Sequence, residues 1–259
     1  MWRGAALAWA VAWAAPAASS SAVPAAFARK PASAMPAGSA RVDSLRAPEP
    51  ELLLTWTAPF GAPRATDRLA FSCADNAGAD TLYLCLEPGK DSPHFNGFVA
   101  TLDFHAAFGD SLAPYWKLGD GPWGKFDHAS VQFKVDSGLA APQPWNVPGF
   151  GFARYTRTHG SGSLEMIFAV DTIASAPVRA GTVYCLARVI IGRDRADRAG
   201  CDQALCVEWT RAEIAFWIGD SPEVKHGDRR FVSVNSPGGV VCREFRGPAR
   251  PEPWRPGRR

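Results

Sequence analysis

The sequence predicts an all-β domain, an antiparallel sandwich or barrel spanning residues 51–245. Three observations carry that reading. Short runs in which apolar and polar residues alternate recur along this stretch, and alternation places successive side chains on opposite faces of a strand. Turn-forming residues separate the runs, with 24 Gly and 22 Pro in 259 residues. No segment carries an apolar stripe of period 3.6 over three turns, so crossover helices and a parallel sheet are not expected.

In chain order, Leu52–Thr57 (LLLTWT) is a short β-rich run ended by Ala-Pro, and Arg68–Cys73 (RLAFSC) is a second. A turn over 75–80 leads into the clearest pair. Thr81–Glu87 sets Leu82, Leu84 and Leu86 against Tyr83 and Cys85. Phe98–Phe104 sets Phe98, Ala100, Leu102 and Phe104 against Val99, Thr101 and Asp103. After a long connection, Ala129–Val135 alternates again, and 136–162 reads as a second long Pro/Gly/aromatic connection. Ser163–Val170, Thr182–Ile191, Cys206–Ile218, Arg230–Val234 and Val240–Glu244 complete about ten strands. In Cys206–Ile218 the apolar positions Val207, Trp209, Ile214, Phe216 and Ile218 change phase, which suits a bulged strand better than a helix.

The ends of the chain differ from this body. Residues 1–20 place Arg3 before the apolar run Ala5–Ala15 and then offer an A-x-A site at Ala15-Pro16-Ala17, the layout of a secretory signal peptide. The run is near 11 residues, about half of what spans a bilayer, and no later segment is apolar enough to span, so a membrane span is not expected. Residues 21–50 are rich in Ala, Ser and Pro with few large apolar groups, and such a stretch cannot bury enough surface to offset its ordering entropy. It reads as a disordered linker. The tail 246–259 carries five Arg against one Glu, or +4, which leaves the rest of the chain at −1 within a total of +3. A near-neutral body with a basic tail does not provide the basic face that nucleic-acid binding requires. The expected location is secreted, periplasmic or cell-surface.

Export also bears on the six cysteines, Cys73, Cys85, Cys185, Cys201, Cys206 and Cys242, an even number suited to disulfides. Six allow 15 connectivities. Cys201 with Cys206 and Cys73 with Cys85 are the expected pairs, because each flanks a compact turn-rich segment. Paired C-x2-4-C spacings and accompanying His, which would signal zinc, are missing.

Several stretches also resemble a known family in order and spacing. GFVATLDFH (97–105) with GDSL (109–112), GSGSLEMIFAV (160–170), the turn leading into VYCLARVII (183–191) and VEWTRAEIAFWIGD (207–220) resemble successive strands of cohesin-like modules, with carbohydrate-binding-module-like sandwiches alongside. The resemblance covers about 140 residues and implies a jelly-roll β-sandwich outside the cytoplasm. Six cysteines and Trp/Pro-rich insertions at 113–128 and 141–159 depart from the family pattern, so no dockerin partner is carried over.

Candidate chemistry is sparse. Phe108–Leu112 (FGDSL) looks like the nucleophile block of GDSL-type ester hydrolases, in which Ser111 would attack an acyl carbon with the help of a base and an oxyanion hole. That family's later Gly-x-Asn-Asp and Asp-x-x-His blocks are missing; Glu223-Val-Lys-His226 is the nearest substitute, and Pro114 stands where a helix should start. The competing reading is a turn in which Asp110 and Ser111 bond their own backbone. The five His are scattered, and Asp194, Asp197 and Asp202 share one loop with three Arg, without EF-hand spacing. No catalytic residue, metal site or cofactor is therefore expected. The better lead is aromatic: Trp116, Trp123, Trp145 and Phe150/Phe152 with Tyr155 lie in the two long connections, where exposed rings could stack on sugars or meet a protein. Their alternative role is to close the ends of the core, since Trp is highly buried on average. The expected function is an exported, non-catalytic binding or adhesion module for a protein or polysaccharide. A Ser111 esterase and a structural envelope component are the other two readings.

Overall fold

The computed structural model describes residues 49–74, 77–109, 111–119, 126–134, 141–145, 149–158, 160–171, 175–216, 224, 229–236 and 242. The leader, the linker and the basic tail expected from sequence lie outside the described residues. The described residues form eleven strands: β1 Glu51–Trp56, β2 Arg68–Leu69, β3 Ala79–Glu87, β4 Ser92–Ala106, β5 Ala129–Gln132, β6 Phe150–Thr158, β7 Ser161–Ala169, β8 Ala176–Val178, β9 Tyr184–Gly192, β10 Leu205–Phe216 and β11 Phe231–Val234. They form two sheets. The first has the order β1-β3-β9-β5, and the second β2-β11-β10-β4-β7-β6, with β8 pairing the early part of β4. Every pairing is antiparallel except β2 with β11.

Alternation decides what goes between the sheets. Leu82, Leu84 and Leu86 of β3 join one buried cluster with Leu52, Leu54 and Trp56 of β1 and Val189 and Ile191 of β9. From the second sheet come Phe98, Ala100, Leu102 and Phe104 of β4, Leu164, Met166 and Phe168 of β7, and Trp209 and Ile214 of β10. This is the antiparallel sandwich the sequence predicts. The buried indole N–H of Trp209 donates to the Leu52 carbonyl at 2.9 Å, a direct bond from one sheet to the other.

Of the register slips that change the phase of the alternation, two fall in β10 and β9. In β10 the pairing with β4 slips between Trp209 and Arg211, so the inward set runs Leu205, Val207, Trp209 and then Ala212, Ile214. That is the phase change visible in the sequence. In β9 the pairing with β3 slips between Leu84 and Cys85, so that Leu84 faces Ala187 but Cys85 faces Cys185, skipping Leu186.

The structure corrects the strand list at two places. Residues 150–158, read as loop, are the edge strand β6 paired along its length with β7. Its inward positions are Gly151, Ala153 and Tyr155, and Phe150 and Phe152 point the other way, so the apolar pattern was inverted and small residues hid it. The short strand β8 was also read as loop. Of the expected strand Val240–Glu244 all but Cys242 lies outside the described residues.

The expected disulfide pairs are corrected as well. Cys73 bonds Cys201, with Cα atoms 5.9 Å apart, and Cys206 bonds Cys242, 5.7 Å apart. Cys201 cannot take its near neighbour Cys206 because the two face different ways. Cys201 belongs to the inner core, whereas Cys206 alternates with the inward Leu205 and Val207 and so lies on the outer side of β10. Cys85 is not a partner of Cys73; it sits mid-strand on the outer side of β3, and Cys85 and Cys185 are both free, buried thiols.

Candidate functional site

Of the aromatic residues singled out from sequence, Trp116, Trp145 and Tyr155 turn inward, whereas Phe150 and Phe152 lie on the outer side of β6. Trp116 ends a 3-10 turn over Pro114–Trp116 and is fully buried, with its ring edge-on to Phe71 at 5.2 Å between centroids. Tyr155 is buried on the inner face of β6 and its hydroxyl donates to the Trp116 carbonyl at 3.1 Å. Trp145 enters the core from a loop and packs on Phe168 at 4.2 Å and on Phe95 at 5.8 Å. These three close the space between the sheets, which corrects the expectation that they present an open stacking surface. Trp123 lies outside the described residues.

Ser111 is exposed in a bend that follows Gly109, itself at φ 82°, a left-handed conformation that favours glycine. The Ser111 carbonyl accepts from the Gln203 side chain at 3.0 Å, and Gln203 in turn accepts from the Ala113 N–H at 2.7 Å. Asp110, His159, Glu223 and His226 lie outside the described residues.

The loop after β9 is built differently from a solvated charge run. Arg193 makes a bidentate pair with the buried Asp80, at 2.8 and 2.7 Å. Arg195 donates to the carbonyls of Pro114 and Tyr115, both at 3.0 Å, and Arg198 donates to the Cys73 carbonyl at 2.8 Å. Three arginines thus fasten the loop to one end of the sandwich. Asp197 accepts from the Ala199 N–H at 2.9 Å. Among the described residues no group of three or more His, Cys, Asp and Glu comes together as a metal-ligand set.

His128 lies buried under this loop. Its Nδ1 is 3.4 Å from an Arg195 guanidinium nitrogen and its ring is 4.9 Å from the Tyr115 ring. Burial is the larger cause and the Arg195 charge the next in lowering its pKa from 6.5 to about 4; Asp127 and Asp194 act in the opposite sense. Burial, then the negative charge of Asp80, pushes the Tyr115 phenol up to about 12. Both groups are neutral at pH 7, and Arg195 is therefore the donor to an unprotonated His128 Nδ1.

The two outer faces of the sandwich contrast. On the first sheet Leu53, Tyr83, Cys85 and Cys185 form a second buried cluster with Ala141, with Phe60 and Val183 packed against it. On the second sheet the outer face carries exposed apolar side chains. The register aligns Phe152 of β6, Ile167 of β7, Val99 of β4 and Glu213 of β10 in one row, with Phe150 and Ala169 in the next. Phe150 is 62% exposed and Ile167 37% exposed, two of the three large apolar side chains so exposed among the described residues. The row on the other side reads Arg154, Glu165, Thr101, Arg211. Arg211 also pairs with Glu213 on its own strand. The sequence singles out Phe150 and Phe152, but as residues of a connection; that they stand on a sheet face beside Ile167 and Val99 is shown only by the strand register.

No family model matches the chain, and no curated protein matches it. A structure similar in part is a type II cohesin domain from the cellulosome of Acetivibrio cellulolyticus, at 11% identity and a TM-score of 0.35, covering 73% of this chain and 96% of that one. A likeness at that level carries no argument about function or partner.

Proposed function

We propose that the chain is an exported, non-catalytic binding module whose contact surface is the outer face of the second sheet and whose partner is a protein. The observation that carries this reading is the apolar row of Phe152, Ile167 and Val99, Ile167 exposed and the other two half-buried, with the exposed Phe150 beside it, bounded by the charged row Arg154, Glu165 and Arg211. An apolar centre with a charged rim is the anatomy of a protein interface. A sugar platform would instead present flat Trp or Tyr faces among hydrogen-bonding groups; Trp116, Trp145 and Tyr155 are committed to the core. Export is supported by the two disulfides, which persist in oxidising compartments.

The test is a photo-crosslinking amino acid placed at Ile167, with a control at the exposed Lys90, in the full chain expressed in its native host. Discrete protein adducts at 167 and none at 90, lost when Glu165→Lys and Arg154→Glu reverse the rim, are expected. Equal adducts at both sites, or adducts indifferent to the rim reversal, would overturn the proposal. Glycan-array binding that survives Phe152→Ser would overturn it in favour of a sugar ligand.

A further inference from the structure

The buried pair Cys85 and Cys185 has no role in the surface just described. Cys85 occupies the middle of β3 and Cys185 the second position of β9, and the two are direct cross-strand partners. Their meeting depends on the bulge in β9. With regular pairing beyond Leu84–Ala187, Cys85 would face Leu186 and Cys185 would face Leu86. Skipping Leu186 turns both Leu186 and Ala187 into the inner core and brings Cys185 to the outer side, against Cys85. A bulge that re-aims one side chain beside its partner is a characteristic use of the device.

The surroundings hold the two sulfurs together. Both residues are fully buried among Leu53, Tyr83 and Ala141. The Phe60 N–H points at the Cys85 sulfur at 3.5 Å, and the Cys185 thiol donates to the Ala187 carbonyl at 3.9 Å. The Cys185 N–H is bonded to the Pro142 carbonyl at 2.8 Å, so the segment around 141–143 crosses over the pair. Directly opposite antiparallel residues have Cα atoms about 4.5–5.5 Å apart, inside the ~4.4–6.8 Å range that a disulfide spans. The other four cysteines are already bridged.

We infer that Cys85 and Cys185 form an oxidation site that closes to a third, cross-strand disulfide between the two central strands of the first sheet. The oxidant is another disulfide, of the small-molecule or thiol–disulfide oxidoreductase class. The thiolate of one cysteine attacks that disulfide and releases one thiol; the second thiolate then displaces the other from the mixed disulfide. Two electrons pass from the cysteine pair to the incoming disulfide, one S–S bond forms and one breaks, and the two protons lost by the cysteines balance the two released thiols. The neighbouring Cys85 sulfur, and then burial, hold the Cys185 thiol well above its ordinary pKa. The native dithiol is therefore a slow nucleophile, and closure happens before the crossing segment covers it or when that segment lifts.

The experiment counts thiols. The full chain is reduced and unfolded, refolded in a mixture of reduced and oxidised glutathione, then unfolded without reductant and treated with a maleimide. The expected result is no added maleimide, with a peptide containing Cys85 crosslinked to one containing Cys185. Two maleimides per chain, on Cys85 and Cys185, would overturn the inference, as would either residue found bridged to any other cysteine. Cys85→Ser leaves Cys185 without its partner, so the count should rise from zero to one; a count of zero in that variant would also overturn it. A parallel sample kept reduced and folded should react with maleimide at least tenfold more slowly than after unfolding, and equal rates would contradict the burial on which the slow step rests.

Discussion

Acidification should destabilise this domain through one side chain, His128. The neutral imidazole accepts from Arg195 at its Nδ1; a proton there removes the acceptor and sets a second cation beside the guanidinium in a buried site. The folded pKa of about 4 lies below the 6.5 of an unfolded histidine. The unfolded chain therefore binds the proton first as pH falls. The contribution of the neutral state is fully present above about pH 7, declines through 6.5, and is gone near pH 4. With ~1.36 kcal/mol per pKa unit, the loss attributable to His128 is about 1.4 kcal/mol at pH 5.5 and about 2.5 kcal/mol at pH 4.5. Other groups titrate over the same range, so the measurement is a difference. Urea unfolding of the wild type and of His128→Asn is compared at pH 7.5, 5.5 and 4.5. Asn keeps an acceptor for Arg195 and cannot take the proton. The gap between the two proteins should shift in favour of the variant by those amounts on acidification. Parallel pH profiles would refute the reasoning, and so would a titration of the His128 ring by NMR with a midpoint near 6.5.

Other outcomes follow from the packing. Gly162 on β7 lies against the Tyr155 ring, and a methyl group there would overlap the Tyr155 hydroxyl, which is bonded to Trp116. Gly162→Ala should cost about 2–3 kcal/mol in chemical denaturation, and Tyr155→Phe in the same chain should recover part of it, giving a non-zero coupling in a double-mutant cycle. The Cys73–Cys201 bridge closes a loop with a sequence separation of 128 residues. Replacing both with Ala should lower stability by up to about 5 kcal/mol on the chain-entropy account, read as a drop in denaturation midpoint. Ile167→Asp on the exposed face should change stability by less than about 0.5 kcal/mol, as for surface sites away from packing features, while abolishing the photo-adducts formed by a probe at Phe152.

The strands were legible where one face is buried and the other is not. Thr81–Glu87, Phe98–Phe104 and Ser163–Val170 each show alternating residues, and each is a strand with its predicted inner side in the core. The phase change in Cys206–Ile218 was legible for the same reason, because a bulge leaves two polar residues between apolar ones. β6 was not, because what marks a strand in sequence is apolar residues facing in, and here Gly151 and Ala153 face in while Phe150 and Phe152 face out. Phe150 and Phe152 drew notice as loop aromatics, but the same inversion hid that they share a sheet face with Ile167 and Val99. Trp116 and Trp145 carried no sign of which way they turn, since a large ring in a loop is equally suited to a ligand and to the open end of a sandwich.

Composition and local pattern thus determined the fold class, the antiparallel arrangement and most of the core, because those depend on the period of neighbouring residues. The sulfur partners, the arginine clamps on the loop after β9 and the exposed face were decided by tertiary structure alone. Each joins residues far apart in the chain: Cys73 to Cys201, Asp80 to Arg193, Cys85 to Cys185. Which residues meet at such distances is set by sheet order and by the side on which each strand presents its side chains. A single skipped residue, Leu186 in β9, is enough to turn Cys185 from a position facing Leu86 to one facing Cys85.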